Sequence, residues 1–326
     1  MSDLQSVDAP RPPLAAVAPL RERKRSARAV WESPTVAVTC VIHGGFLLWA
    51  LEFSELPLLL AAPIGAVLLA WYTSLQHETI HNHPTPWRWV NALVAALPLT
   101  LWIPYGVYRE THLRHHRRGG RELTDPVADP ESFYLPTGAL RGLKTITRVL
   151  RRANCTLAGR LLIGPALTLA SFWTHEWRLV RDGYPRRRAF WLRHLAGAGA
   201  TVAFLTAFCH IPLWIYGLCV VYPSIALSQI RSFVEHRAAH DPAERTAVVE
   251  AGTFWGLLFL HNNLHIAHHA EPKRPWYELP AAWIRTRATV PVGAPIFRGG
   301  YAEVFSRYLF KPYISVEHPA PPPPQA

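Results

Sequence analysis

Nine of the seventeen histidines in this 326-residue chain fall at spacings that can gather a metal. Three boxes carry eight of them: His77-Glu78-Thr79-Ile80-His81, His112-Leu113-Arg114-His115-His116 and His265-Ile266-Ala267-His268-His269. With 3.6 residues per helical turn, positions i and i+4 share a face, so both imidazoles of the first box can reach one ion. In the second and third boxes, i with i+3 or i+4 is expected to place three imidazoles within reach of a shared centre. His236, in Arg231-Ser232-Phe233-Val234-Glu235-His236, supplies the ninth. A catalytic zinc takes three protein ligands, so nine exceed one such ion, whereas two metals with four or five imidazoles each use them all. Positions then stay open for dioxygen. Of the metals that imidazole suits, iron is the one whose redox chemistry can activate dioxygen against an unactivated C–H bond.

The elements that position these boxes read as membrane helices. Half of the chain is hydrophobic and it carries 13 Trp, with the apolar residues gathered in long blocks. Thr35 to Leu51 and Leu56 to Leu75 are each close to the ~17–25 residues that cross a bilayer. They are joined by Glu52-Phe53-Ser54-Glu55. A second pair, Leu195 to Ile211 and Pro212 to Ile230, is joined around His210 and Pro212. Trp89 to Ile103, Leu161 to Trp173 and Phe254 to Leu264 are too short to span and are expected to be interfacial or re-entrant helices. The formal charge of +12 sits beside the apolar blocks, in Arg21 to Arg28, Arg114 to Arg121, Arg141 to Arg152 and Arg181 to Arg188. That placement favours anchors against anionic lipid over a nucleic-acid groove.

The fold expected is therefore an all-α membrane protein: four transmembrane helices as two hairpins, interfacial helices, and a cytoplasmic di-iron cap. Positive-inside reasoning puts both termini and all nine histidines on the cytoplasmic side of the cell (inner) membrane. Residues 1–33 form a disordered basic arm, 34–312 the membrane domain and 313–326 a proline-rich tail, unpacked from His318 on. The four cysteines, Cys40, Cys155, Cys209 and Cys219, show no metal or disulfide spacing.

Around the boxes, Glu78, Glu110 and Glu235 are candidates to hold a ligand's second nitrogen, as carboxylates commonly do. Asn262 and Asn263 are weaker ones. His43, His83, His175, His194, His210, His240 and His318 lack box partners and are expected not to ligate. His77 to His81 also fits H-E-x-x-H, the zinc protease motif with Glu78 as base, but that reading leaves the other boxes without a purpose.

The boxes in this order, with the strings HETIHNH, RETHLRHHR, LTDPVADPESFY, RSFVEHR and FLHNNLHIAHHAEPKRPWYELP, resemble the integral-membrane fatty acid desaturase and hydroxylase superfamily, and bacterial desaturases in particular. The resemblance covers roughly Thr35 to Pro280. It implies a non-haem di-iron site held by His77, His81, His112, His115, His116, His236, His265, His268 and His269, with O2 as co-substrate. It also implies a lipid acyl chain in a tunnel beneath the metals, and electrons from a separate carrier such as ferredoxin. The rival with the same centre is a hydroxylase or ketolase of a lipid, alkane or carotenoid; a rival of another class is a metal-binding membrane protein without catalysis. His261 departs from the pattern, which leads one to expect Asn there, and is a candidate extra ligand or supporting group.

Overall fold

The computed structural model describes residues 31–117 and 122–319; residues 1–30 of the expected 1–33 arm and the tail beyond 319 lie outside the described residues. The chain is mostly helical, with a single two-stranded parallel pairing among the described residues.

Helix α1 (Ser33–Leu51) opens on Pro34, whose fixed φ and missing N–H suit a first turn. After a tight turn at Phe53–Glu55 the chain returns as α2 (Leu58–Ile80). The two cross closely at Gly65, where a Cβ would lie 2.5 Å from the Trp49 ring. Trp49 Nε1 donates to Ala61 O across the same contact (2.7 Å). The helix runs five residues beyond the expected Leu75, so His77 sits on the apolar helix itself.

Next come α3 (Arg88–Ala95), an irregular stretch, and α4 (Tyr105–His115), which carries the second box. Trp89 and Leu93, four apart on α3, and Leu97 just beyond it are exposed. The chain then passes through α5 (Thr145–Ala153), α6 (Leu157–Leu162) and α7 (Gly164–Arg181). Pro165, read in the sequence as an interruption, instead starts α7.

Helix α8 (Pro185–Ala203) continues through a π-helical turn to Phe208, and α9 (Leu213–Glu235) returns from it. Among the described residues three helices, α1, α2 and α9, are long and apolar enough to cross a membrane. The expected span Leu195 to Ile211 does not stand alone: it is the second half of α8, whose first half carries Arg186, Arg187, Arg188 and Arg193.

Beyond α9 lie β1 (Val248–Val249), α10 (Thr253–Leu258), α11 (His265–Ala270), α12 (Leu279–Thr286), β2 (Ile296–Phe297) and α13 (Gly300–Tyr308). β1 pairs in parallel with β2 through Val248–Ile296 and Val249–Phe297. The main core runs between α1, α2 and α9 through Ile42, Phe46, Trp49, Leu69, Tyr72, Tyr216 and Val220. The end of the chain stays packed further than expected. Leu135 N donates to Val316 O (2.9 Å) and His318 N to Leu135 O (2.8 Å), while Thr137 Oγ1 bonds His318 O.

Candidate metal centre

Four helix ends bring the nine histidines together. His77 and the C-cap His81 close α2, His112, His115 and the C-cap His116 close α4, His236 caps α9, and the third box forms α11. They sort into a group of five, His77, His81, His112, His116 and His268, and a group of four, His115, His236, His265 and His269. Within each group the candidate ligand atoms lie within 4.8 Å of one another.

Each three-histidine box is divided between the groups, which corrects the expectation of one shared centre per box. At 100° per residue, i and i+4 differ by about 40° around the helix, whereas i+3 and i+4 point about 100° apart. His112 and His116 therefore face the first group while His115 turns to the second. The third box does the converse, with His265 and His269 together and His268 across.

The nitrogens are spaced as ligands of one ion would be. In the five-group, His112 Nε2 lies 3.0 Å from His81 Nε2 and 3.1 Å from His116 Nε2, and His268 Nε2 is 3.1 Å from His116 Nε2. In the four-group, His236 Nε2 is 3.1 Å from that of His115 and 3.0 Å from that of His265, which is 3.2 Å from His269. Two nitrogens bound ~2.1 Å from one metal at right angles would stand about 3.0 Å apart.

The outer nitrogens show which atoms are left to bind a cation. His112 Nδ1 bonds Glu131 Oε1 (3.0 Å), His115 Nδ1 bonds Asp129 Oδ1 (2.9 Å), and His265 Nδ1 bonds Asn262 Oδ1 (3.0 Å) with Glu235 Oε1 at 3.3 Å. A neutral imidazole has one N–H, and those partners fix it on Nδ1. In their neutral forms these three rings thus turn an Nε2 lone pair inward, toward neighbouring Nε2 atoms, where one metal ion can take them together. Donor set and orientation both fit metal binding.

Protonation follows the same geometry. Burial, reinforced by neighbouring histidines, holds His81, His116, His265, His268 and His269 well below the ordinary imidazole range and lowers His236 to about 3. They stay neutral, which is the ligating form. His115 is the exception: burial lowers it, but Glu131 and Asp129 outweigh that and raise it to about 8. Burial also works against Glu131, yet the adjoining His112 and His115 hold its carboxyl well below the usual range.

The supporting residues differ in part from those expected. Glu235 does stand behind His265, and it also pairs with Arg231. Glu78 Oε1 is 3.9 Å from His77 Nδ1, while its Oε2 accepts from Trp276 N (3.1 Å). Glu110 touches no box histidine; it accepts from Arg187 (3.0 Å), because its side of α4 faces α8. Asn263 is turned away to Val249 O (2.7 Å), and Asn262 takes the place expected of it, bonding His265 and lying 3.3 Å from His77 Nε2. His261 belongs to neither group and stacks on Trp276 with centroids 5.8 Å apart. His43 lies against Thr39 O and Val94 O, and His83 against Glu32. Asp129 and Glu131 were not anticipated as partners. Their one signal was the Asp-Pro-rich string LTDPVADPESFY, whose spacing does not reveal that Asp129, fixed by the Thr124 and Glu131 amides (both 2.9 Å), reaches back to α4.

Comparison with curated proteins finds no match. A family model described as fatty acid desaturase matches residues 54–300, a stretch that holds all nine histidines and Asp129, Glu131 and Glu235. With well over half of the chain inside that match, the protein belongs to the fatty acid desaturase family.

Proposed function

We propose that this chain is a membrane desaturase that introduces a C=C bond into an acyl lipid, using dioxygen and externally supplied electrons at a non-haem di-iron centre. The observation that carries the reading is the division of nine inward-turned imidazoles into groups of five and four. Five nitrogens exceed the four-coordinate preference of structural zinc, and the two groups together use every box. With iron and dioxygen bound, the centre would supply the oxidant that takes hydrogen from two adjacent carbons of the chain.

The protein's own part is positional. Asp129, Glu131, Asn262 and Glu235 hold Nδ1–H groups and so fix which nitrogen each ring presents. Burial of His77, His81, His112, His115, His265 and His268 keeps water from that side, whereas His116, His236 and His269 are only partly covered. That partly covered edge suits the approach of an electron carrier such as ferredoxin. In this reading α8 from Pro185 to Phe208 is the fourth span, with its arginines at the lipid–water boundary and both termini in the cytoplasm of a cell with the protein in its inner membrane.

The test is mass spectrometry of lipids from cells expressing wild type and His268→Ala. Wild type should give a product lacking two hydrogens that the variant does not make. A product that gains one oxygen instead moves the chain to the hydroxylases and ketolases, and no oxygen consumption with lipid and reductant leaves a metal-binding protein without catalysis.

A further inference from the structure

Box two stands at the end of a segment whose backbone is held by side chains rather than by regular structure. Between α3 and α4 the chain leaves the helix at Ala96, and Leu101 takes a left-handed φ of 63°. Within the segment Leu99 N donates to Leu97 O (2.9 Å) and Leu101 N to Pro98 O (3.0 Å); its other carbonyls need partners from outside, and where such a stretch lies among membrane helices no water replaces them. Donors from surrounding helices supply them in turn. Tyr72 OH on α2 lies 2.7 Å from Ala95 O and 2.6 Å from Leu97 O, and Gln76 Nε2 donates to Ala95 O (2.9 Å). Tyr216 OH on α9 donates to Leu99 O (2.5 Å), His194 Nε2 on α8 to Leu101 O (3.0 Å), and Trp173 Nε1 on α7 to Trp102 O (3.1 Å).

The depth of the grip gives its consequence. Tyr216 lies nineteen residues before Glu235 on α9, about 28 Å along the axis at 1.5 Å per residue, close to the ~30 Å hydrocarbon thickness. Leu99 is thus held toward the end of α9 remote from His236, and the chain must climb back through α4 to present the second box. On that climb Thr79 Oγ1 meets Tyr105 OH (3.0 Å), and Gly106 lies against the Phe190 ring, where a Cβ would stand 2.5 Å from it. A shift at Leu99 has few ways to dissipate before it reaches His112, His115 and His116.

We propose that Tyr216, with Tyr72 and His194, positions the second histidine box: by gripping the carbonyls of the dipping segment these side chains set where α4 presents its imidazoles to both metal groups. The inference rests on the reading of the nine histidines as a metal centre. None of the three residues belongs to the ligand groups, so each acts through the backbone of its neighbour.

The experiment uses the full chain in nanodiscs, stripped of metal and titrated with Co2+, with ligand-field absorption as the readout. Tyr216→Phe keeps the ring and loses only the hydroxyl. It should weaken Co2+ binding about tenfold, the lower range for disturbed support of a metal ligand, and shift the absorption of both groups because box two feeds both. Tyr72→Phe should act in the same direction and serves if Tyr216→Phe fails to fold. Trp49→Phe is the control for packing: its ring lies against that of Tyr216 (centroids 6.2 Å apart), yet the change removes a different and equally buried bond, to Ala61 O, and leaves the grip on Leu99 O in place. It should lower thermal stability while leaving Co2+ affinity and spectrum as in wild type. The proposal is overturned if the tyrosine variants bind and absorb like wild type, or if Trp49→Phe perturbs the metal as much as they do. A wild type that takes up no Co2+ overturns the metal centre itself, and the positioning role with it.

Discussion

The two histidine groups use the same ligand atom but stand in different electrostatic surroundings. In the group of five, His112 alone has a carboxylate at hydrogen-bond distance from its outer nitrogen, through Glu131. In the group of four, Asp129 stands behind His115 and Glu235 beside His265, with Glu131 Oε2 at 4.0 Å from His115 Nε2. One group relies on ligand number, the other on fewer ligands with more negative charge close by. Nearby anions stabilise a bound cation and also a proton on the empty ligand, which is why His115 is raised to about 8.

The largest expected effect breaks the comparison at its ligands. His236→Ala leaves three imidazoles in the smaller group and should drop bound metal from two per chain to one, with product formation lost. His81→Ala leaves four in the larger group and should weaken the ion there without expelling it. Elemental analysis of the purified variants reads the difference; equal loss from both would show that ligand number does not distinguish the groups. Next, Asp129→Asn removes the charge behind His115 while keeping a hydrogen-bond acceptor. Affinity at the smaller group should fall about 10–100-fold with little change at the larger, since outer partners of metal-bound histidines carry that order of effect.

A pH titration sharpens the same contrast with a smaller effect. His115 in the metal-free protein holds its proton up to about pH 8, and that proton must leave before metal binds. Affinity at the smaller group should therefore rise about tenfold per pH unit toward 8 and level off above it, one proton being displaced. Histidines of the larger group held well below the ordinary range, His81, His116 and His268, contribute no such slope. A slope of equal size at both groups, measured by competition with a chelator, would remove His115 as its source. The smallest effects belong to residues near the boxes but outside both groups. His261→Asn and Glu110→Gln should leave both metals in place, and the second should cost about 1 kcal/mol or less in thermal unfolding because Glu110 is 42% exposed in its pair with Arg187.

How much of this was legible beforehand differs between ligand and support. The eight box histidines could be read from spacing because i, i+4 pairing on a helix is a property of the chain alone, and His236 from its place just after the fourth apolar block. Glu235 and Glu78 sit beside ligands in the sequence, yet only Glu235 comes within 3.3 Å of an outer nitrogen. Glu110 shares that adjacency and turns outward to Arg187. Asp129, thirteen residues past His116, makes the tighter contact. A carboxylate between two turns can face anywhere, so its partner is set by the path of the loop.

The amino-acid sequence alone set the apolar helices and the donors that the boxes offer, because length, hydropathy and helical period act locally. It placed α1, α2 and α9 within a few residues and recognised Trp89 to Ile103 as too short to span. Only the tertiary structure decided that His115 joins the third box while His268 joins the second, that α8 begins among arginines, and that Leu99 O meets Tyr216. Each of these depends on how helices far apart in the chain are set against one another, and a one-dimensional pattern does not encode that angle.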